Sequence, residues 1–232
     1  MGMTLAEKIL AAKCGKDKVV PNEIVIVPVD CAMMTDILGP RMISEEFNRL
    51  GMPIKKPDSV VIVADHYTPA ATEHQAEIVD FSNRWAREHG IKNFYQLEGP
   101  CHQLLAEKGY SRPGSIVVGT DSHTCSSGAF GCFGTGIGST EMLGVLVSGE
   151  IWFKVPETIR INWNGVLNKG VMAKDVILRT IGVVGHAGAT YQSMEFGGST
   201  IDAMPMDERI CISNMAVEAG AKVGLIQADE KT

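Results

Sequence analysis

Asp121, Ser122 and His123 stand together in Gly119-Thr120-Asp121-Ser122-His123-Thr124, directly after the apolar run Ser115-Ile116-Val117-Val118. Two more histidines share that setting. His66 follows Asp65 at the end of an apolar stretch over 59–64, and His102 lies in the loop after 93–97. An imidazole titrates near neutrality, and a neighbouring carboxylate fixes its tautomer and raises its basicity, so such pairs suit proton transfer. One loop histidine is usually surface decoration. Three at equivalent strand ends argue for something else, because the carboxyl ends of parallel strands share one edge and open on one crevice.

Holding these groups there takes an alternating α/β chain, and the pattern supplies one. Helices are predicted over 4–12, 44–50, 72–89, 103–108 and 139–149, the first with Thr4 and Glu7 as a capping box. Strands are predicted over 23–29, ending at Asp30, and over 59–64, 93–97 and 115–118. The texture changes at Lys154-Val155-Pro156-Glu157. Beyond it come a half-exposed strand over 158–163, a helix over 173–181, a strand over 191–196 and a helix over 207–220. Two lobes are expected, 1–156 and 157–232. The polar end, Asp229-Glu230-Lys231-Thr232, follows no predicted helix or strand, so the second lobe is expected to be incomplete.

Composition excludes several classes. The 232 residues carry a net charge of −6 with no basic block, which argues against a nucleic-acid partner. No long uncharged apolar stretch predicts a membrane span, and the first 18 residues lack a signal core. A cytoplasmic protein is expected. The six cysteines, Cys14, Cys31, Cys101, Cys125, Cys132 and Cys211, form no Cys-x-x-Cys pair, so reduced thiols are expected rather than a zinc site. Gly131, Gly134, Gly136 and Gly138 lack the spacing of a dinucleotide fingerprint. They predict close passage of the backbone past a buried partner or another chain. Met33 and Met34 read as core filler.

Read in order, Ala64-Asp65-His66, Cys101-His102-Gln103, the Asp121-Ser122-His123 block and Ile212-Ser213-Asn214-Met215-Ala216-Val217-Glu218 resemble the aconitase superfamily. The branch they resemble is that of the large subunits of 3-isopropylmalate dehydratase and homoaconitase. Lys154-Val155-Pro156-Glu157-Thr158-Ile159, Ala173-Lys174-Asp175 and Gly188-Ala189-Thr190-Tyr191 fit the same branch, so the resemblance covers essentially the whole chain. It implies an α/β fold with a three-layer α/β/α first domain, a largely parallel sheet, and part of a second α/β lobe. It implies a hydro-lyase acting on 3-isopropylmalate, homoaconitate, 2,3-dimethylmalate or a related branched hydroxy-acid. The family's cofactor is a [4Fe-4S] cluster, and its partner is a small subunit carrying a swivelling domain. Carried over residue by residue, the catalytic groups are Asp65 with His66, Asp121 with His102, and Glu218 with His123. Asp65 and His66 would protonate the departing hydroxyl, while Ser122 and Asn214 would position substrate or cluster.

The departures are as definite. The family's cluster cysteines lie downstream of its Asn-Met-x-x-Glu motif, and none of the six cysteines here matches them. Cys125, two residues after His123, is not assigned as a ligand. Thr35-Asp36 replaces a histidine–acid pair that many relatives carry after the first strand. The resemblance therefore implies a large-subunit N-terminal portion, without cluster or activity when isolated. A non-catalytic scaffold that keeps the fold is the alternative reading. A nucleotide-dependent oxidoreductase is a third, and the glycine spacing argues against it.

Overall fold

Strands that are apolar on both faces must be covered on both sides, and this chain interleaves helices that do so. The computed structural model describes residues 2–232. In chain order its first part contains α1 (Leu5–Cys14), β1 (Ile24–Pro28), β2 (Cys31–Thr35), α2 (Pro40–Leu50), β3 (Val60–Ala64), α3 (Glu73–Glu88), β4 (Asn93–Gln96), α4 (Cys101–Glu107), β5 (Ile116–Gly119), β6 (Phe133–Gly136), α5 (Ser139–Ser148) and β7 (Glu150–Lys154). There follow β8 (Thr158–Asn162), α6 (Ala173–Val184), β9 (Ser193–Gly197), α7 (Ser199–Ala203), α8 (Met206–Asn214) and β10 (Val223–Ile226).

Five parallel strands form the main sheet in the order β4-β3-β2-β5-β6. Side chains alternate faces along a strand. Ala32, Met34, Ile62 and Val118 therefore pack into the core with residues of α1, α2, α3 and α5. Met33, Val61, Val63 and Val117 turn the other way, onto Leu104 and Leu105 of α4. This is a three-layer α/β/α arrangement. The chain runs outward from β2 through β3 to β4, then returns to build β5 and β6 on the other side. The reversal between β2 and β5 opens a crevice at their carboxyl ends.

The opposite, amino ends of the same two strands are clamped by Asp30. Its N–H donates to Ile116 O (3.0 Å), and its Oδ2 accepts the Ile116 N–H (2.7 Å). Lys13 Nζ donates to Oδ1 of the same carboxylate (2.8 Å).

A second parallel sheet, β10-β9-β8, packs Met194 and Phe196 against Val176 and Ile177 of α6 and Ile212 of α8. The two sheets meet closely. Val223 and Leu225 of β10 lie in the core shared with the main sheet, and Glu195 of β9 accepts the Ala6 N–H at the start of α1 (3.0 Å). Between the sheets runs a 3-10 helix, Ser122–Phe130, whose N-cap Asp121 accepts the His123 N–H. Glycine is required on both sides of it. A Cβ at Gly128 would strike the Gly224 carbonyl, and one at Gly136 would strike the Asp121–Ser122 backbone. The close approaches expected of the glycine-rich stretch are thus made to the chain's own backbone.

Several sequence expectations change. The strand expected over 23–29 is β1, which leaves the main sheet and pairs antiparallel with β7. The strand beside it, β2, is the central one and was not foreseen. Neither were β6, β7, α7, β10 or the 3-10 helix. The helix expected over 207–220 ends at Asn214 and tightens into a 3-10 turn, Met215–Ala219. The chain's polar end was expected to follow no regular element, yet β10 closes just before it. No helix among the described residues is long and apolar enough to cross a membrane.

Candidate active site

Each expected site residue follows from a strand end or from the helix after it. Asp65 and His66 leave β3, His102 lies in the first turn of α4, and Asp121, Ser122 and His123 leave β5. Asn214 closes α8, and Glu218 stands on the 3-10 turn after it.

His66 Nδ1 lies 2.7 Å from Asp65 Oδ1. The other oxygen of Asp65 accepts the Cys101 N–H at the start of α4 (2.6 Å), which ties this pair to the helix bearing His102. His102 Nε2 lies 2.8 Å from Asp121 Oδ1, and the same oxygen accepts the His123 N–H (2.8 Å). The His102 and His123 rings stand 6.4 Å apart, and His123 Nε2 lies 3.2 Å from Glu218 Oε1. An unbroken series of contacts therefore runs from β3 to the turn after α8, across 153 residues of sequence (218 − 65).

Asp121 is the electrostatic centre. The hydrogen bond from His102 pulls its carboxyl down to about 2; burial opposes this, and the His123 N–H assists. An ionised Asp121 takes the Nε2–H of His102. The other ring nitrogen of His102, Nδ1, is buried and finds no partner among the described residues. Ser122 Oγ is exposed and lies 3.2 Å from His123 Nδ1. Asn214 turns inward: its Nδ2 donates to Ser126 Oγ (2.9 Å), and Ser126 Oγ donates to His123 O (2.6 Å). Asn214 thus braces the loop that carries His123.

Asp36, singled out in the sequence only as a departure, is fully buried beneath His66. It accepts N–H groups from Ile37 (3.2 Å), His66 (3.3 Å) and Tyr67 (2.8 Å), and its Oδ1 lies 3.4 Å from His66 Nδ1. It stitches the end of β2 to the end of β3. Its sequence signal is an acid separated by Thr35 from the short apolar run Cys31-Ala32-Met33-Met34, which follows the preceding strand too closely to read as a strand of its own.

A cleft of about 420 Å³ adjoins Asp121 and Ser122, lined also by Thr120, Gly138, Glu141 and Lys222. A larger one, about 550 Å³ between α2 and α3, is lined by none of the strand-end residues. Of the expected site residues, the smaller cleft is lined by Asp121 and Ser122.

Cys31, Cys101 and Cys132 share one apolar cluster, but among the described residues the thiols form no group at metal-ligand distance. Cys125 donates to Asn214 O (3.2 Å) and Cys132 to Ser127 O (2.8 Å), and burial pushes each thiol up to about 12. Among the described residues, the one group of three or more His, Cys, Asp or Glu whose ligand atoms lie within 4.8 Å of one another is Asp36, Asp65 and His66. It contains no sulfur, so these residues do not fit a [4Fe-4S] cluster, which is held by cysteine thiolates.

A family model described as "Aconitase family (aconitate hydratase)" matches residues 7–232. The chain is 48% identical, over 234 residues, to the probable 3-isopropylmalate dehydratase large subunit of Methanothermobacter thermautotrophicus. It is 47% identical to the 3-isopropylmalate dehydratase large subunit of Halothermothrix orenii, and 45% to 3-isopropylmalate dehydratase large subunit 1 of Pyrococcus furiosus. Each match covers 100% of this chain but 55–56% of the relative. The chain thus spans about half the length of the curated relatives it matches.

Proposed function

The chain belongs to the aconitase family, and on that premise we propose that it supplies the acid–imidazole face of a hydro-lyase. The substrate we assign is 3-isopropylmalate or a related branched hydroxy-acid, and the partner is a small subunit, as the relatives' names imply. The observation that carries this reading is the connected series Asp65–His66, His102–Asp121 and His123–Glu218, set at the reversal of the main sheet.

Hydroxide is a poor leaving group, so elimination of water needs a proton delivered to the departing oxygen. In our reading His66 delivers it. Asp65 occupies Nδ1 and leaves Nε2 as the face open to substrate. Its side chain is 37% exposed, enough to meet a ligand. Asp121 stays ionised, orients His102 and, through its backbone contact, fixes the turn that presents Ser122 and His123. The family's cluster finds no ligand set among the described residues. In a working enzyme we assign its cysteines to residues other than these 232.

The test is a chimera in which residues 1–232 replace the matching segment of the Methanothermobacter thermautotrophicus relative. It is reconstituted anaerobically with iron, sulfide and that organism's small subunit. Dehydration of 3-isopropylmalate is expected, with a loss of about 10²–10⁴-fold in His66→Gln. A folded, cluster-loaded chimera without activity would sink the proposal. Thiols that form no metal-ligand group among the described residues also favour a second reading, a scaffold without catalysis, and that inactive outcome is the one it requires.

A further inference from the structure

Lys222 is the one cation lining the cleft beside Asp121 and Ser122. It sits just before β10, where its N–H donates to Gln192 O (2.8 Å). Its side chain crosses the seam towards the main sheet, and its Nζ reaches only one acceptor, Gly136 O, at 3.5 Å. No carboxylate oxygen among the described residues comes within the 4.0 Å of an ion pair. The ammonium stands 5.8 Å from the Phe153 ring centre and 5.7 Å from that of Tyr191. Aromatic faces attract a cation without neutralising it.

Two further observations mark the position as built. Tyr191 holds φ 57°, a left-handed conformation uncommon for a bulky residue, and its ring lies 4.9 Å from the Lys154 ammonium and 5.7 Å from that of Lys222. Gly136, the partner of the ammonium, is packed directly on the Asp121–Ser122 backbone, so the charge sits next to the proposed reaction face. Burial pulls the Lys222 pKa below the usual lysine value, with Glu141 opposing, as befits a cation short of counter-charge. A half-buried ammonium without an anion is costly to hold unless one arrives.

We propose that Lys222 is a carboxylate anchor, its ammonium taking one carboxylate of a small dicarboxylate seated in the 420 Å³ cleft beside Ser122. The inference deepens the hydro-lyase reading, because it names a residue that would grip one end of the substrate. It nevertheless stands on the cleft and the unpaired charge, and it needs no cluster.

The experiment uses this chain with malonate as the probe. Lysines are reductively ¹³C-methylated, and the Lys222 methyl signal, assigned by its loss in Lys222→Met, is followed during titration. A saturable shift at roughly millimolar malonate is expected, and none with isobutyrate at equal ionic strength. In calorimetry, Lys222→Met should raise the malonate dissociation constant at least tenfold, about 1.4 kcal/mol, and Lys222→Arg by less than about threefold. Glu141→Gln, which removes the carboxylate whose charge acts on Lys222, should bind malonate at least as tightly as the parent chain. Equal binding by folded Lys222→Met, an unsaturable shift, or a loss of binding in Glu141→Gln would each overturn the proposal. Should Lys222→Met fail to fold, the parent chain's titration still decides, with the signal assigned from Lys222→Arg. A chimera that binds malonate through Lys222 but dehydrates nothing would sink the hydro-lyase reading and leave the anchor standing.

Discussion

His66 and His123 each face a carboxylate, but the two pairs are built on opposite plans. Asp65 and His66 are neighbours in sequence, and buried Asp36 braces them from below through three backbone N–H groups. Their geometry is fixed within the main sheet. His123 and Glu218 are 95 residues apart, with side chains 37% and 51% exposed, and they meet only because the second sheet docks against the 3-10 helix. One pair is preorganised by strand ends, whereas the other reports on assembly of the halves. A local pair survives small shifts between the two sheets, and a bridging pair converts them into a change of hydrogen bonding.

The strongest way to break this contrast is at the seam. Gly128→Ala places a Cβ against the Gly224 carbonyl, where only backbone can move aside. A loss of about 3 kcal/mol is expected in urea unfolding. The His123 ring signals should move while those of His66 stay. Equal movement of both would mean that the two pairs are not independent.

Asp36→Ala attacks the other plan. Leaving the Ile37, His66 and Tyr67 N–H groups unpaired should cost about 2–3 kcal/mol. Here the His66 signals should broaden while the His123–Glu218 contact persists. An undisturbed His66 would remove Asp36 from the account.

Acid titration touches the point where the plans join. The Asp121 carboxyl is held down to about 2 in the folded chain, below its ordinary 3.8. Its stabilisation is therefore fully present above pH 4 and is lost as pH falls from about 4 towards 2, by roughly 2 kcal/mol in total. Asp121→Asn should flatten that part of the stability profile; an unchanged acid limb would show that other carboxylates control it. The smallest effect belongs to Glu218→Gln. An exposed ion pair contributes little, so stability should stay within about 0.5 kcal/mol. Activity of the reconstituted chimera should nevertheless fall, and a fully active Glu218→Gln would sharpen the contrast by leaving the chemistry to His66 and His102 with their carboxylates.

What could be read in advance followed chain geometry closely. Apolar runs that stop at an acid or histidine announced β3 and β5 and placed Asp65, His66, Asp121 and His123 at their ends. The strands that escaped had specific reasons. β2 follows β1 after only Val29 and Asp30, so a break into a different sheet looked like the end of one strand. β6 is Phe-Gly-Thr-Gly, where two glycines interrupt the strand signal of Phe133 and Thr135 and make close contacts with the 3-10 helix. β10 is four residues long and was lost between a glycine turn and a polar end. Asp36 and Lys222 were illegible for a related cause. Their importance depends on burial and on which neighbours are missing, and neither quantity has a pattern along the chain.

The Asp30 clamp has one more consequence. Because main-chain and side-chain bonds from a single aspartate lock the alignment of β2 and β5 at their entry side, the exit side adds only light bracing, from the Thr120 N–H to Met33 O (3.0 Å) and from the Thr35 N–H to Thr120 Oγ1 (3.3 Å). Register is thus held mainly at one end of these strands, which leaves short local bonds at the other end to set the angle of each reacting side chain.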